Sequence, residues 1–268
     1  MIDKKNILGV GITNITKNKV LEYIIKGLEN FKEKYFVVTP NPEFLVLANK
    51  DSKFKNILNN AKLALADGIG IILAGKILDK PLKERITGVE LLESLCKTVA
   101  EKPITVGFLG GGYGLAEKTA KCLIKKHPGL KVGFVAEEWP QDDTYLSGRF
   151  KNKGKKIINH KSYIINLPSI DILFVAFGTP KQEIWINDNL DKIPVKVAIG
   201  VGGAFDYISG RVPRAPLFVR QVGFEWLFRL IVQPWRVKRQ LALLEFVFLV
   251  LKEKVKGVKV VDGTDKKA

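Results

Sequence analysis

The sequence predicts a doubly wound α/β fold: a mostly parallel sheet with helices on both faces, followed by a C-terminal helical appendage. Three observations predict it. Short apolar runs alternate with longer helix-like segments over the first two hundred residues. Most of those runs lack in/out alternation, as parallel strands buried on both faces do. After Pro216 the alternation stops, and a long apolar and basic stretch takes over.

The elements follow in order. "ILGVGI" (7–12) reads as the first strand and 17–30 as the first helix. "YFVVT" (35–39) is a second strand. It leads into a helix over 42–59, with Pro42 in the first turn and Asn41 as its cap. "LALA" (63–66) is a short buried strand before a helix at 68–77. Thr87-x-x-Glu90 is a capping box that opens a helix over 88–101. "ITVGFLG" (104–110) precedes a helix at 113–126, and "LKVGFVA" (130–136) is the next strand. Residues 138–161 are polar and strongly charged and read as an exposed excursion. "DILFVAF" (171–177), a helix at 179–190 and "VKVAIGV" (195–201) complete the alternation. From Pro216 to Lys256 the chain reads as helix broken at Pro234. The expected division is a domain at 1–213, the appendage at 214–256 and a frayed tail at 257–268.

Composition narrows the class. Of 268 residues, 46% are apolar, enough for a large core. The two cysteines, Cys96 and Cys122, fall in helix-like segments without a CxxC, which suits thiols in a reducing compartment. The start shows no apolar stretch of signal-peptide pattern, so a cytoplasmic location is expected. Net charge is +17 and uneven: residues 211–268 hold 13 Lys/Arg against 5 Asp/Glu. A basic, apolar tail points to an anionic partner. Because the basic residues share the stretch with Trp226, Trp235, Phe224, Phe246 and Phe248, an anionic membrane surface fits better than nucleic acid, which is not expected. The apolar run 241–251 is too short to span a bilayer, which takes roughly 20 residues. A helix pair packed on the domain is the alternative.

In sheets of this kind ligands bind beyond the carboxyl ends of the strands. Five junctions there carry polar or glycine-rich groups. Thr39 and Asn41 follow the second strand, where capping alone would also explain them. Asp67 follows "LALA", either as the cap of the next helix or as a general base. The turn "GFLGGGYG" brings Gly110, Gly111 and Gly112 to a helix start, where backbone can approach a nucleotide phosphate. It is not GxGxxG, which disfavours a dinucleotide-dependent oxidoreductase. "FGTPKQEIW" adds Lys181 and Gln182, and "GVGGAFDYISGRVPRAP" adds Asp206, Arg211 and Arg214. Arg85 stands beside the capping box, free to hold phosphate or carboxylate. No DxD occurs and neither histidine has ligand-like neighbours, so neither a metal site nor any other cofactor is expected. One carboxylate, glycine turns and arginines suit transfer from a nucleotide-activated donor, the leaving diphosphate being held by arginines and helix termini.

The stretches "TPNPEFL", "ADGIGI", "ERITGVELL", "GFLGGG", "GTPKQE", "VGGAFDYISGRVPRAP" and "GFEWLFRL…PWR" occur in this order over about residues 6–240. Together they resemble the WecG/TagA/CpsF glycosyltransferase family. The resemblance implies a Rossmann-like domain with a membrane-docking appendage. It also implies inverting transfer of N-acetylmannosamine from UDP-ManNAc to GlcNAc-diphosphate-undecaprenol, the step that completes the wall teichoic acid linkage disaccharide. On this chain it makes Asp67 the general base and places Thr39, Asn41, Arg85 and Gln182 around the sugars. Arg229, Arg236 and Arg239 of the appendage would close over the diphosphate, and Arg214 joins the substrate-binding set. Gln233 stands where the family commonly has an acidic residue, and Glu90 where Asp is frequent. Two alternatives stay open: a different UDP-sugar donor for another surface polysaccharide, and a membrane-binding adaptor without catalysis. A homo-oligomer is also left open.

Overall fold

The computed structural model describes residues 2–30, 33–139 and 169–264. Six parallel strands form the central sheet: β3 (Tyr35–Val38), β4 (Leu63–Ala64), β5 (Thr105–Gly110), β6 (Lys131–Ala136), β7 (Ile170–Ala176) and β8 (Val195–Gly200), in the order β4-β3-β8-β7-β5-β6. The strands alternate between two cores. Ile172, Phe174 and Ala176 of β7 face one core, and Ile170, Leu173 and Val175 the other. That two-sided burial is why these runs show no in/out pattern in the sequence.

Helices α1 (Lys17–Asn30), α5 (Gly88–Val99), α6 (Leu115–Lys126) and α8 (Ala204–Ile208) supply the core on one face. The other is filled by α2 (Pro42–Lys50), α3 (Ser52–Asn60), α4 (Ile69–Ile77) and α7 (Lys181–Asn189). The expected doubly wound class holds. Cys96 on α5 is buried and Cys122 on α6 half-buried, and both are free thiols.

Two expectations change in detail, and a third is not tested. Residues 7–12 are not one strand of the main sheet but part of an antiparallel hairpin, β1 (Lys4–Ile7) and β2 (Val10–Thr13), in a sheet of its own. Leu8 and Gly9 turn it with φ 51 and 83, and Gly9 N–H donates to Asn6 Oδ1 at 2.8 Å. The helix expected over 42–59 is two helices. Asp51 ends α2 and caps α3, accepting from Lys53 N at 2.9 Å and Phe54 N at 3.1 Å. The charged excursion at 138–161 lies, apart from Glu138 and Trp139, outside the described residues.

The appendage has the helical character expected, with one more break. It runs through α9 (Leu217–Gln221), α10 (Glu225–Val232), a 3-10 turn at Pro234–Arg236 and α11 (Val237–Thr264). Gly223, at φ 84 and against Ile69 of α4, separates α9 from α10. Helical backbone continues to Thr264, into the stretch expected to fray. α11 packs on α2 and α4. Its Phe246 and Val250 belong to the same core as Phe44, Leu45, Ile71 and Ala74. Ion pairs flank that contact: Lys50–Glu245 at 2.6 Å, Lys80–Glu253 at 3.3 Å, and Lys254–Asp79. The two readings of the appendage are therefore not exclusive: one face of α11 is core, and another is exposed.

Phe246→Ala should loosen this seam, since truncating a buried Phe costs about 3–5 kcal/mol. The expected signs are a lower melting temperature and faster limited proteolysis within 237–256. An unchanged cleavage rate would mean that α11 is held by something other than its buried face.

Candidate active site

A cavity of about 570 Å³ opens at the carboxyl edge of the sheet, between the β3, β4 and β8 ends and the appendage. Asp67, Asn41, Arg85, Gly203, Tyr207 and Arg229 are among the residues of its wall, and apolar side chains of α4, α10 and α11 make much of the rest.

Backbone hydrogen bonds put Asp67 there. Beyond the formal end of β4 the pairing with the β3 side continues, Leu65 N donating to Val38 O at 2.9 Å and Asp67 N to Pro40 O at 2.8 Å. On the other side Ile86 N donates to Ala66 O at 2.9 Å. Asp67 is thus the last residue of an over-determined extended segment. It does not cap α4: Gly68, at φ 94, holds the cap position, and no side chain caps that helix. Its carboxylate instead meets the start of α5, where Gly88 N–H donates to Oδ2 across 3.5 Å. Burial pushes its pKa up to about 7, against the Gly88 hydrogen bond, which lowers it. Glu225 and Glu90 push the same way as burial, and Arg85 opposes them.

Around Asp67 lies a half-buried cluster of alternating charge. Glu225 of α10 stands between two arginines, 4.0 Å from Arg85 Nη1 and 3.5 Å from Arg214 Nε. Glu90 also faces both, at 3.8 Å from Arg85 and 3.4 Å from Arg214. Glu93 takes a further Arg214 nitrogen at 3.3 Å. Arg229 crosses to the domain separately. It pairs with Asp206 at 3.4 Å, lies 4.9 Å over the Tyr207 ring and donates to Gln233 Oε1 at 3.1 Å. Gln233, where the resemblance led to the expectation of an acidic residue, accepts from the arginine through its amide oxygen. Glu90 completes its capping box with Thr87 while facing the two arginines.

The structure brings part of the expected set together. Asp67, Asn41, Arg85 and Arg229 line the cavity. Asn41 also caps α2, its Oδ1 accepting from Phe44 N at 3.2 Å. Thr39 is buried outside the cavity wall, donating to Gly200 O at 3.2 Å, and Gly88 packs close to its hydroxyl. Gln182 is buried and away from the cavity wall. Its Oε1 accepts from Gly178 N at 3.2 Å and Gly202 N at 3.0 Å, and its amide donates to Glu183 at 2.6 Å. It ties the β7 and β8 turns together. Burial raises the Glu183 carboxyl to about 7. Arg214 is outside the wall, held by its three carboxylates. Gly110, Gly111 and Gly112 turn away from β5 with φ of 99, 85 and 84, also outside the wall. Beside them Gly114 N–H already donates to Glu137 at 2.6 Å. Arg236 lies in the 3-10 turn and Arg239 in α11; both side chains lie outside the described residues.

Glu225, Gly203 and Tyr207 were not singled out from sequence. Glu225 had one usable signal, as an acid inside a basic, apolar stretch. Among the described residues no group of three or more His, Cys, Asp or Glu side chains is placed to hold a metal ion.

Comparison with known proteins adds the family context. The model of the glycosyl transferase WecG/TagA/CpsF family matches residues 5–260. Three relatives are named N-acetylglucosaminyldiphosphoundecaprenol N-acetyl-beta-D-mannosaminyltransferase. That of Bacillus spizizenii is 32% identical over 81% of this chain and 79% of its own length. That of Bacillus subtilis is 27% identical over 93% and 91%. That of Staphylococcus aureus strain MRSA252 is 29% identical over 94% of each.

The raised pKa of Asp67 makes a stability prediction. Between the ordinary aspartate range and about 7 the unfolded chain is ionised while the folded chain keeps the proton. Folding is therefore increasingly penalised as pH rises through that window, and the penalty is complete above it. Asp67→Asn removes it, so the variant should melt higher than the parent at pH 8, with the difference shrinking toward pH 4. A difference that does not vary with pH would sink burial as the cause.

Proposed function

The chain belongs to the glycosyl transferase WecG/TagA/CpsF family, and from that premise we propose that it transfers N-acetylmannosamine from UDP-ManNAc to GlcNAc-diphosphate-undecaprenol, forming the linkage disaccharide of wall teichoic acid. In support, relatives named for N-acetyl-beta-D-mannosaminyl transfer to N-acetylglucosaminyldiphosphoundecaprenol align with this chain over most of their length. The observation that carries the chemistry is the carboxyl of Asp67, its proton held on by burial to about pH 7, on a cavity wall shared with Arg85 and Arg229.

In this reading the acceptor's sugar hydroxyl loses its proton to Asp67 as its oxygen attacks the anomeric carbon of the donor. The bond from that carbon to the UDP phosphate oxygen breaks with inversion, and UDP leaves with the electron pair. A base poised near the working pH takes a proton better than an ordinary surface aspartate. Burial therefore supplies what helix capping would have removed, since a cap would hold the pKa low. Arg85 and Arg229 neutralise the diphosphate charge, so no metal cofactor is called for. Asn41 positions sugar hydroxyls, while Thr39 and Gln182 hold the strand ends behind the cavity.

We place the general base and the sugar contacts in 1–213 and membrane docking in 214–256, which also lends Arg229 to the diphosphate, with the chain peripheral on the inner face of the membrane. No described helix is long and apolar enough to cross a bilayer. The support for docking is the exposed apolar surface of the appendage, where Trp235 is 72% and Phe218 69% exposed, amid the basic residues of that stretch.

With UDP-ManNAc and a lipid-linked GlcNAc acceptor, UDP release should persist in EDTA, and kcat/KM should rise with pH and level off above about 7. Asp67→Asn should lose 10²–10⁴-fold in rate, as removal of a general base does. A fully active variant, or turnover abolished by EDTA, would refute the corresponding role. A panel of UDP-sugars decides the donor: preference for another sugar would move the chain to a different surface polysaccharide.

Docking is tested on vesicles. The Phe218→Ser, Trp235→Ser double variant should bind anionic vesicles several-fold more weakly than the parent. Undiminished binding would remove these side chains from the membrane contact.

A further inference from the structure

The cavity that holds Asp67 has two chemically different ends, and the transfer step uses one. Away from Asp67 and the arginines, the wall consists of apolar side chains in two regular rows. On α4 the row is Ile69, Leu73 and Ile77; on α11 it is Leu243, Val247 and Leu251. Each row repeats every four residues, so each is a single ridge along its helix.

Packed helices normally close such ridges onto one another. Here α11 seats Phe246 and Val250 against the domain, while Leu73 stays 48% and Val247 49% exposed. The two ridges therefore flank an open groove. Large apolar side chains left facing water on both sides of a groove mark a binding surface. The groove begins at the site itself, because Ile69 follows Asp67 by two residues. From Ile69 to Ile77 the helix rises roughly 12 Å. At the far end the helices are fastened by Lys80–Glu253 at 3.3 Å and by Lys254–Asp79.

We infer that this groove holds the first isoprene units of the acceptor's polyprenyl chain, with the diphosphate at the Arg85–Arg229 end. The inference rests on the proposed acceptor. A chain covalently joined to a diphosphate at those arginines must leave over an adjoining surface, and the two ridges form an apolar one that continues from them. A cavity of about 570 Å³ cannot contain a whole polyprenyl chain. The remaining units leave over the exposed apolar face of α11, which includes Leu244 and Phe248.

The test compares Leu73→Ser and Val247→Ser with the parent chain on two GlcNAc-diphosphate acceptors, one polyprenyl and one butyl, in the same detergent. The ratio of kcat/KM for the long over the short acceptor should fall about tenfold in each variant, roughly what exposing one buried Leu or Val is worth. An unchanged ratio overturns the groove. If the parent chain transfers to neither acceptor, the transferase reading fails, and direct binding still decides the groove. Farnesyl diphosphate, followed by tryptophan fluorescence with Trp226 in the cavity wall, should bind the parent and bind Leu73→Ser several-fold more weakly; equal binding overturns the proposal. Two other results overturn it by naming a different occupant. Loss of anionic-vesicle binding in step with loss of the long acceptor would make the ridges bilayer-facing surface. A fall in sedimenting mass would make them a contact between copies of the chain.

Discussion

Glu225 is the acid on which the active-site cluster turns. It comes from the appendage, yet it stands between Arg85 of the sheet domain and Arg214, where the appendage begins. Those arginines also face Glu90, at the start of α5. A half-buried group of alternating charge adds little net stability, because desolvation cancels much of the attraction. It does specify geometry: removing one member would leave another charge without its partner in a partly dry place. The cluster thus fixes where α10 sits, and α10 in turn supplies Glu225 itself, Trp226 and Arg229 to the cavity wall. The same carboxylate acts on Asp67, adding to the burial that keeps its proton on to about pH 7. One side chain thereby links the position of the appendage to the basicity of the proposed catalytic group.

Most of the fold was legible because the strands are buried on both faces and the helices carry local start signals. Asn41 and the Thr87–Glu90 box cap their helices as the sequence implied. The misreadings were local. Residues 7–12 have the apolarity of an interior strand, and only the turn conformation of Leu8 and Gly9 makes them a hairpin. Asp51 is a short polar residue inside a helix-like pattern, and its capping of α3 overrode the periodicity.

The site was less legible, because sequence marks which residues reach the carboxyl edge but not which way they face there. Asp67, Asn41 and Arg85 turn toward the cavity, whereas Gln182 turns inward to satisfy two backbone N–H groups that would otherwise be buried without partners. The glycine turn after β5 looked equally suited to phosphate, but it stands outside the cavity wall. Cap or base was a fair question for Asp67 until the backbone of Gly68 took the cap position. Glu225 was hidden for a different reason. Its partners lie more than one hundred residues earlier in one case, and no local pattern announces a pairing across that distance.

The contribution of Phe246 and Val250 to the domain's own core makes α11 a rigid stand rather than a tether. A flexible linker would let the proposed catalytic carboxyl wander over a range of heights above whatever surface the outer face of α11 rests on. A helix keyed into the core fixes that height to within side-chain motion. In the proposed transfer, the reach toward a lipid-borne sugar would then be set by the thickness of one packed helix layer, and substitutions in the seam would retune it without touching Asp67.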